Sequence, residues 1–433
     1  MILKRRAKGI FVAANKNTAN CTPVELKVPP RVRLPLALLG TNSSSFTVKK
    51  GDTVAVGQPI STYGSGIGVP LHATVSGTVE GIEKLRLAAG YVVDSLVIAS
   101  DGKQTVWEGV KPPEVPDAPS FLEAIRNSGL VGLGGAGFPT WVKLNASVDR
   151  LIINGSECEP YCTADHVTMR DYAADLAEGI AIVQSRLAIE KTIIGVKHPP
   201  QALLDAFSQI PNVEIQQLRE FYPVGAEKML ILETTGRVVP GGKLPKDVGC
   251  MVLNVNTAVF IARYLRTGMP LVQKLVTVDG SAVRTPGLVI APIGTPVEAL
   301  FRAVGGFVQE PAKIISGGPM MGTALPDLEF PLLWNCGSLL ALGAKEAVKP
   351  DSTACIRCGR CAQDCPMNLM AFEMTEAFAR KDVDRLRQIG ANLCMECGCC
   401  AYVCPAHRDL VTSHKLMKRF LATQPKKEEA KSC

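Results

Sequence analysis

Residues 355–366, CIRCGRCAQDCP, and residues 394–405, CMECGCCAYVCP, decide how the C-terminal part of this chain folds. Each run sets three cysteines two residues apart, adds a fourth after three more residues, and closes on proline: Cys355, Cys358, Cys361, Cys365 with Pro366, then Cys394, Cys397, Cys400, Cys404 with Pro405. An Fe₄S₄ cube needs a thiolate on each iron. Gaps of two residues let three successive thiolates wrap one cube, and in runs of this kind the fourth cysteine serves the other cube. The spacing therefore predicts one [4Fe–4S] cluster on Cys355, Cys358, Cys361 and Cys404, and a second on Cys394, Cys397, Cys400 and Cys365. Zinc also takes C-x-x-C pairs, but two runs of four, each ending Cys-Pro, point to iron–sulfur. Cys399 stands beside Cys400 without ligand spacing and reads as a spare thiol.

Clusters carry single electrons, so a source and a sink are expected elsewhere. Of 15 cysteines in 433 residues, nine fall in this short region. Metal-ligand clustering of that kind, on a chain without an export signal, suggests a reducing compartment. The length suggests about two to four domains. No apolar stretch approaches the ~20 residues of a membrane span, and the expectation is a cytoplasmic protein, peripheral to a membrane at most through partners. The net charge of +7 includes a basic tail with Lys426, Lys427 and Lys431. It serves solubility or the steering of acidic redox partners. No basic stripe interleaved with aromatics is present, so nucleic acid is not expected. Neither G-x-S-x-G nor H-E-x-x-H occurs, which leaves hydrolase readings unsupported.

Upstream, residues 120 to 267 alternate strand and helix patterns. LIIN (151–154), TIIGV (192–196) and CMVLNV (250–255) are short buried strands. Tyr172, Leu176, Ile180, Val183 and Leu187 form one helix face. Residues 25 to 110 read as all-β, with short strands at 46–50, 53–56 and 74–82 separated by Gly-Asp and Ser-Gly turns. This stretch resembles the barrel-sandwich of biotinyl and lipoyl carrier domains, without a counterpart of their carrier lysine. Pro112, Pro113, Pro116 and Pro119 form a linker.

GLGGAGFPT (132–140) satisfies G-x-G-x-x-G. A Rossmann fingerprint follows a strand and opens a helix; here a helix precedes the loop and Pro139 closes it, which argues against that fold. Missing β-carbons still let a flat or phosphorylated ligand lie on backbone. INGSECEPY (153–161) follows a buried strand and puts Asn154, Glu157 and Glu159 where ligands bind in such sheets. Cys158 and Cys162 read as thiols. The five histidines are scattered and read as ordinary surface or core.

These stretches together, with YPVGAEKMLI (222–231), LNVNTA (253–258), SGGPMMG (316–322) and both cysteine runs, resemble the RnfC family over nearly the whole chain. They also resemble, more distantly, the NADH-oxidising flavoprotein subunit of complex I. The resemblance implies a multidomain α/β and α+β fold: a barrel-sandwich hybrid (1–111), an FMN/NADH-binding α/β domain (120–268), an SLBB β-grasp-like domain (272–345), a dicluster ferredoxin domain (346–412), and a C-terminal helix and tail (413–433). It implies FMN, two [4Fe–4S] clusters, and NAD(H) as substrate. By position, Gly132, Gly134, Gly135, Gly137, Lys143, Asn154, Glu157, Tyr222, Gly225, Asn254 and Thr257 would hold FMN. Phe138, Glu159 and Glu227 would face the nicotinamide, with Glu227 and Glu159 catalytic. The implied function is hydride exchange between NAD(H) and FMN, then relay of single electrons through both clusters to a redox partner within a hetero-oligomeric complex. That partner is a ferredoxin, an Rnf subunit or a reductase subunit.

Three features depart from the family pattern: FVAANKNT (11–18) replaces its His-Pro-Pro-Glu segment, ALLGTN (37–42) its Gln-His-Ile-Gly stretch, and no long Lys/Ala-rich extension follows. They are expected to spare the flavin site and to bear on docking. They also keep open a soluble adaptor serving a methylenetetrahydrofolate, corrinoid or proline reductase. A scaffold that has lost its flavin is the remaining reading.

Overall fold

A computed structural model describes residues 8–36, 44–64, 66–87 and 90–425. The ALLGTN stretch and the lysines of the basic tail lie outside them. Residues 8–21 run as a strap ahead of β1 (Val24–Glu25). Then β2 (Arg31–Pro35), β3 (Thr53–Val54), β4 (Gly77–Arg86) and β5 (Val92–Ser100) form an antiparallel sheet in the order β2-β5-β4-β3. Val32, Leu34, Leu96 and Ile98 turn to its buried face. Residues 46–50, read as a strand, make only one isolated bridge, Phe46 to Ser61. A turn competes there: the Lys49 amide donates to the Asp52 carboxylate at 2.9 Å, and the Asp52 amide to the Lys49 carbonyl at 3.1 Å.

The middle of the chain builds a four-stranded parallel sheet. Its elements are α1 (Ala118–Asn127), α2 (Thr140–Leu144), β6 (Arg150–Asn154), α3 (Ala164–Asp171), α4 (Ala173–Leu187), β7 (Lys191–Val196), α5 (Gln201–Phe207), β8 (Val213–Gln217), α6 (Glu227–Thr235), β9 (Cys250–Asn254) and α7 (Val255–Thr267). The strand order is β8-β7-β6-β9. Leu151, Ile152 and Ile153 are all fully buried, because a parallel strand covered on both faces needs a continuous apolar run. The register pairs Asn154 with Asn254, so both asparagines stand side by side at the carboxyl ends of adjacent strands.

Next come β10 (Gln273–Asp279), β11 (Gly287–Pro292), α8 (Val297–Ala303), β12 (Lys313–Ser316), β13 (Thr323–Ala324) and β14 (Ser338–Leu342). With β1 they make a six-stranded sheet ordered β1-β11-β10-β14-β12-β13. Val276, Val278, Val289, Leu300 and Phe301 form its core. The strap is thereby anchored to this unit, since β1 pairs with β11. The last unit holds α9 (Ala344–Ala347), α10 (Arg360–Gln363), α11 (Ala371–Ala379), α12 (Val383–Gln388), α13 (Cys399–Tyr402) and α14 (Leu410–Thr423). Helices α10 and α13 start at matching places in the two cysteine runs, behind Gly359 and Gly398 at φ 78° and 87°. Among the described residues no helix is long and apolar enough to cross a membrane.

Leu176, Ile180 and Val183 of α4 are buried as their spacing predicts, and Gly179 lets α4 press against α7. A β-carbon at Gly179 would fall 2.0 Å from the Ala258 carbonyl oxygen. Gly179→Ala must push the two helices apart. A loss of ~1–3 kcal/mol is expected for such overpacking, read as a lower thermal midpoint; an unchanged midpoint would show that the pair is loosely packed.

Candidate functional site

The glycine loop between α1 and α2 is closed at its base by the Gly132 amide, which donates to the Phe138 carbonyl at 2.8 Å. Its crest, residues 134–136, is exposed. Beneath the crest, the Leu133 amide reaches Thr257 Oγ1 at 3.4 Å, and Lys274 Nζ donates to the Leu133 carbonyl at 2.7 Å. Gly134 lies on Asn254, whose Nδ2 would sit 2.4 Å from a β-carbon there. Gly135 faces open space. A loop stripped of side chains above polar groups is a cradle suited to a flavin or phosphate.

The two strand-end asparagines are held from opposite sides. Asn154 Nδ2 donates to the Gly225 carbonyl at 2.8 Å, and its Oδ1 accepts from Ser156. Asn254 Oδ1 caps α7 by accepting from the Asn256 amide at 2.9 Å, while its Nδ2 donates to Asp165 Oδ2 at 2.8 Å. Asn256 Nδ2 donates to the other Asp165 oxygen at 2.6 Å. Thr257 is buried in the same helix turn. Burial pushes the Asp165 carboxyl upward and brings the Lys274 ammonium down to about 8. Lys274 comes from β10, so the glycine loop is braced by the neighbouring sheet unit.

The glutamates divide. Glu157 takes φ 39° and turns back on its own segment, accepting from the Asp165 amide at 2.7 Å and the His166 amide at 3.2 Å. It caps α3, and burial pushes its carboxyl upward. Glu227, at the start of α6, accepts from Lys143 Nζ at 2.8 Å, with both side chains about one-third exposed. An ion pair so exposed adds ~0–1 kcal/mol to stability, which leaves both groups available to a ligand. Phe138 is half-buried at the end of the loop. Glu159 is more buried than Glu227: Oε2 accepts from the Met320 amide at 3.0 Å, and Oε1 lies 3.2 Å from the Tyr222 hydroxyl. Tyr222 is 2 % exposed and donates to the Cys397 carbonyl at 2.7 Å. The tyrosine expected against FMN thus has its hydroxyl on a cluster-binding loop.

The two cysteine runs come together in space. Cys365, from the first run, lines one cavity with Cys394, Cys397 and Cys400. Cys361 is near Cys404, Cys355 and Cys358, and also near Cys400 of the other run. Among the described residues no three His, Cys, Asp or Glu side chains converge as a single metal ion requires. Four thiols lining one cavity suit a cube, which needs a thiolate on each iron. Cys399 also borders the cavity, but it is fully buried with its thiol toward the Tyr222 carbonyl at 3.9 Å. Cys158 and Cys162 are free thiols, the latter 2.8 Å from Ser338 Oγ.

Several participants escaped the sequence reading. Asp165 and Lys274 carry no motif of their own, and Asn256 lies within LNVNTA without being singled out there. His414, taken as ordinary, is buried with Nδ1 3.7 Å from Cys394 Sγ. The FVAANKNT segment, expected to spare the site, lies on it. Lys16 Nζ donates to the carbonyls of Glu157 at 2.8 Å, Glu159 at 2.9 Å, and Cys162.

Comparison with known proteins matches the chain to an RnfC barrel sandwich hybrid domain over residues 4–103 and a Nuo51 FMN-binding domain over 125–263. An SLBB domain follows at 275–324 and a 4Fe–4S dicluster domain at 354–407. The chain is 40 % identical over 412 residues, 93 % of each protein, to a subunit of the Na(+)-translocating ferredoxin:NAD(+) oxidoreductase complex of Acetobacterium woodii. The chain belongs to the RnfC family. The counterpart from the proton-translocating complex of Clostridium ljungdahlii is 36 % identical, over 86 % of this chain and 83 % of that one. The corresponding member of the ion-translocating oxidoreductase complex of Vibrio cholerae is 37 % identical, over 88 % of this chain and 51 % of that one. A solved NAD⁺-reducing [NiFe]-hydrogenase chain matches with TM-score 0.51 and 21 % identity, over 72 % of this chain and 64 % of that one, a likeness of fold. The domain order expected of the family is the one found, and FMN and iron–sulfur clusters are its cofactors.

If the crossed sets hold, Cys404→Ala must disturb the cube on Cys355, Cys358 and Cys361, although Cys404 lies in the second run. Iron analysis with electron paramagnetic resonance (EPR) should show one altered cluster and one intact. Damage confined to the cube on Cys394, Cys397 and Cys400 would reverse the assignment.

Proposed function

We propose that this chain exchanges a hydride between NAD(H) and FMN and relays single electrons through two [4Fe–4S] clusters to a protein partner, as one component of a ferredoxin:NAD oxidoreductase complex. The observation that carries this reading is the contact of Tyr222 with Glu159 on one side and the Cys397 carbonyl on the other. It joins the flavin-binding layer to a cluster loop 175 residues further along the chain. When bound, FMN accepts a hydride's two electrons together and gives them up singly, which nicotinamides and cubes cannot do for each other.

The residues then have separate tasks. Gly132, Gly134, Gly135 and Gly137 leave backbone free to lie against the flavin. Asn154, Asn254, Thr257 and Gly225 fix the strand ends around it. Glu157 keeps α3 in register below. Lys143 offers a cation beside the site, and Glu227, its partner, is placed to accept from a nucleotide's hydroxyl or amide groups. Phe138 supplies an apolar face at the loop's end. Glu159 sits toward the clusters, so Glu227 is the better candidate to meet the nicotinamide.

The near end-to-end likeness to members of two such complexes supports this reading over that of a soluble adaptor. Attachment to a membrane would then come through other subunits.

Anaerobically purified protein is expected to show a flavin spectrum and about eight irons per chain. NADH should bleach the flavin, and a one-electron dye should then be reduced. Glu227→Ala should slow NADH oxidation ~10–100-fold, the worth of a charged hydrogen bond, with iron content unchanged. Equal loss of iron and of NADH oxidation would remove Glu227 from the nucleotide site.

A further inference from the structure

The two cysteine sets stand in unlike surroundings. The set of Cys394, Cys397, Cys400 and Cys365 lies against the flavin-bearing layer. Cys397, Ile10 and Tyr222 pack in one buried cluster with Cys399, flanked by Val12, Cys158 and Met320. Gly398 approaches the Met320 carbonyl so closely that a β-carbon would lie 2.9 Å from it. Tyr222 is held at both ends: its backbone exchanges two hydrogen bonds of 2.8 Å with Ile10 of the strap, and its hydroxyl reaches the Cys397 carbonyl. The other set is less covered: Cys361 is buried, but Cys355 and Cys404 are only half-buried. Cys358 is exposed, and Ile356 between its first two ligands is 66 % exposed. The polar contacts of that run stay inside the cluster unit, with Arg357 near Glu376 at 3.5 Å and the Thr353 amide on the Ala406 carbonyl at 3.0 Å.

We propose that Tyr222 is the positioning residue that couples the flavin site to the inner cluster, so that electrons from the nicotinamide enter at the Cys394, Cys397, Cys400 and Cys365 set and leave at the Cys355, Cys358, Cys361 and Cys404 set. This rests on the two-cluster reading above. Tunnelling weakens steeply with distance, so the set locked against the flavin layer receives first, and the exposed set is the one a partner can approach. Each electron that passes oxidises its donor by one and reduces the next centre by one, ending on a one-electron protein acceptor. Two such passages clear one hydride, whose proton goes to water. The Tyr222 hydroxyl also points the positive end of its dipole at the ligand loop, and hydrogen bonds and charge around a cluster set its potential. Glu159, a carboxylate behind the same hydroxyl, acts in the opposite sense.

The test is an EPR-monitored redox titration of the holoprotein, with the two signals assigned through Cys358→Ser, which alters the outer one. Tyr222→Phe should lower the inner potential by about tenfold in its reduction equilibrium, ~59 mV for one electron, and leave the outer potential in place. Glu159→Gln should move the inner signal the other way, which keeps the test decisive if the tyrosine variant loads poorly. In freeze-quenched wild type mixed with NADH, the inner signal should rise before the outer. A shift of the outer potential, equal shifts of both, no shift in either variant, or the outer signal rising first would overturn the proposal. Wild-type protein with only one cube would instead overturn the two-cluster reading, and iron analysis separates the two failures.

Discussion

The hydrogen bond from the Tyr222 hydroxyl to the Cys397 carbonyl, 2.7 Å long and fully buried, is the constraint around which the functional parts are arranged. Electron transfer demands that a flavin site and a cluster be close, yet the residues that build them are far apart in the chain. Proximity has to be made by packing between units, and at this junction four segments meet: the strap at Ile10, the Glu159 loop, the 316–322 loop at Met320, and the cluster loop from Cys397 to Cys399. A buried hydroxyl left without a partner there would cost ~1–3 kcal/mol. The junction is therefore specific as well as tight.

A second buried network organises the flavin end. Asp165 receives both Asn254 and Asn256, Lys274 braces Leu133, and Lys16 spends its donors on three carbonyls of the 157–162 loop. Burying charged groups is expensive unless they are paired or well hydrogen-bonded. The arrangement holds a glycine loop that has no side chains to hold itself. It also explains why the strap belongs to the site. Without Lys16, three carbonyls of one turn would lose a shared cation.

Much of this was legible in the residues. The buried strands at 151–154, 192–196 and 250–255 showed as continuous apolar runs, and the α4 face showed at its helical spacing. The cysteine runs named their own cofactor. Where the reading missed, local signals were weak. Residues 46–50 alternate like a strand, but a Lys49–Asp52 turn takes their backbone bonds. Tyr222 and Glu159 stood in motifs that suggested the flavin, and nothing local says that their polar atoms turn to a cluster loop.

The sequence by itself determined the kinds of chemistry: thiolates spaced for cubes, glycines spaced for a cradle, and polar residues at the ends of parallel strands. These follow from short-range geometry, in which backbone spacing and side-chain type are enough. Only the tertiary structure decided which of those groups meet: that Lys143 pairs with Glu227, that Lys274 and Lys16 enter the site from other units, and that Cys397 is buried against Tyr222 while Cys358 is exposed. Those contacts span more than 80 residues of chain, and long-range packing, not local propensity, selects them.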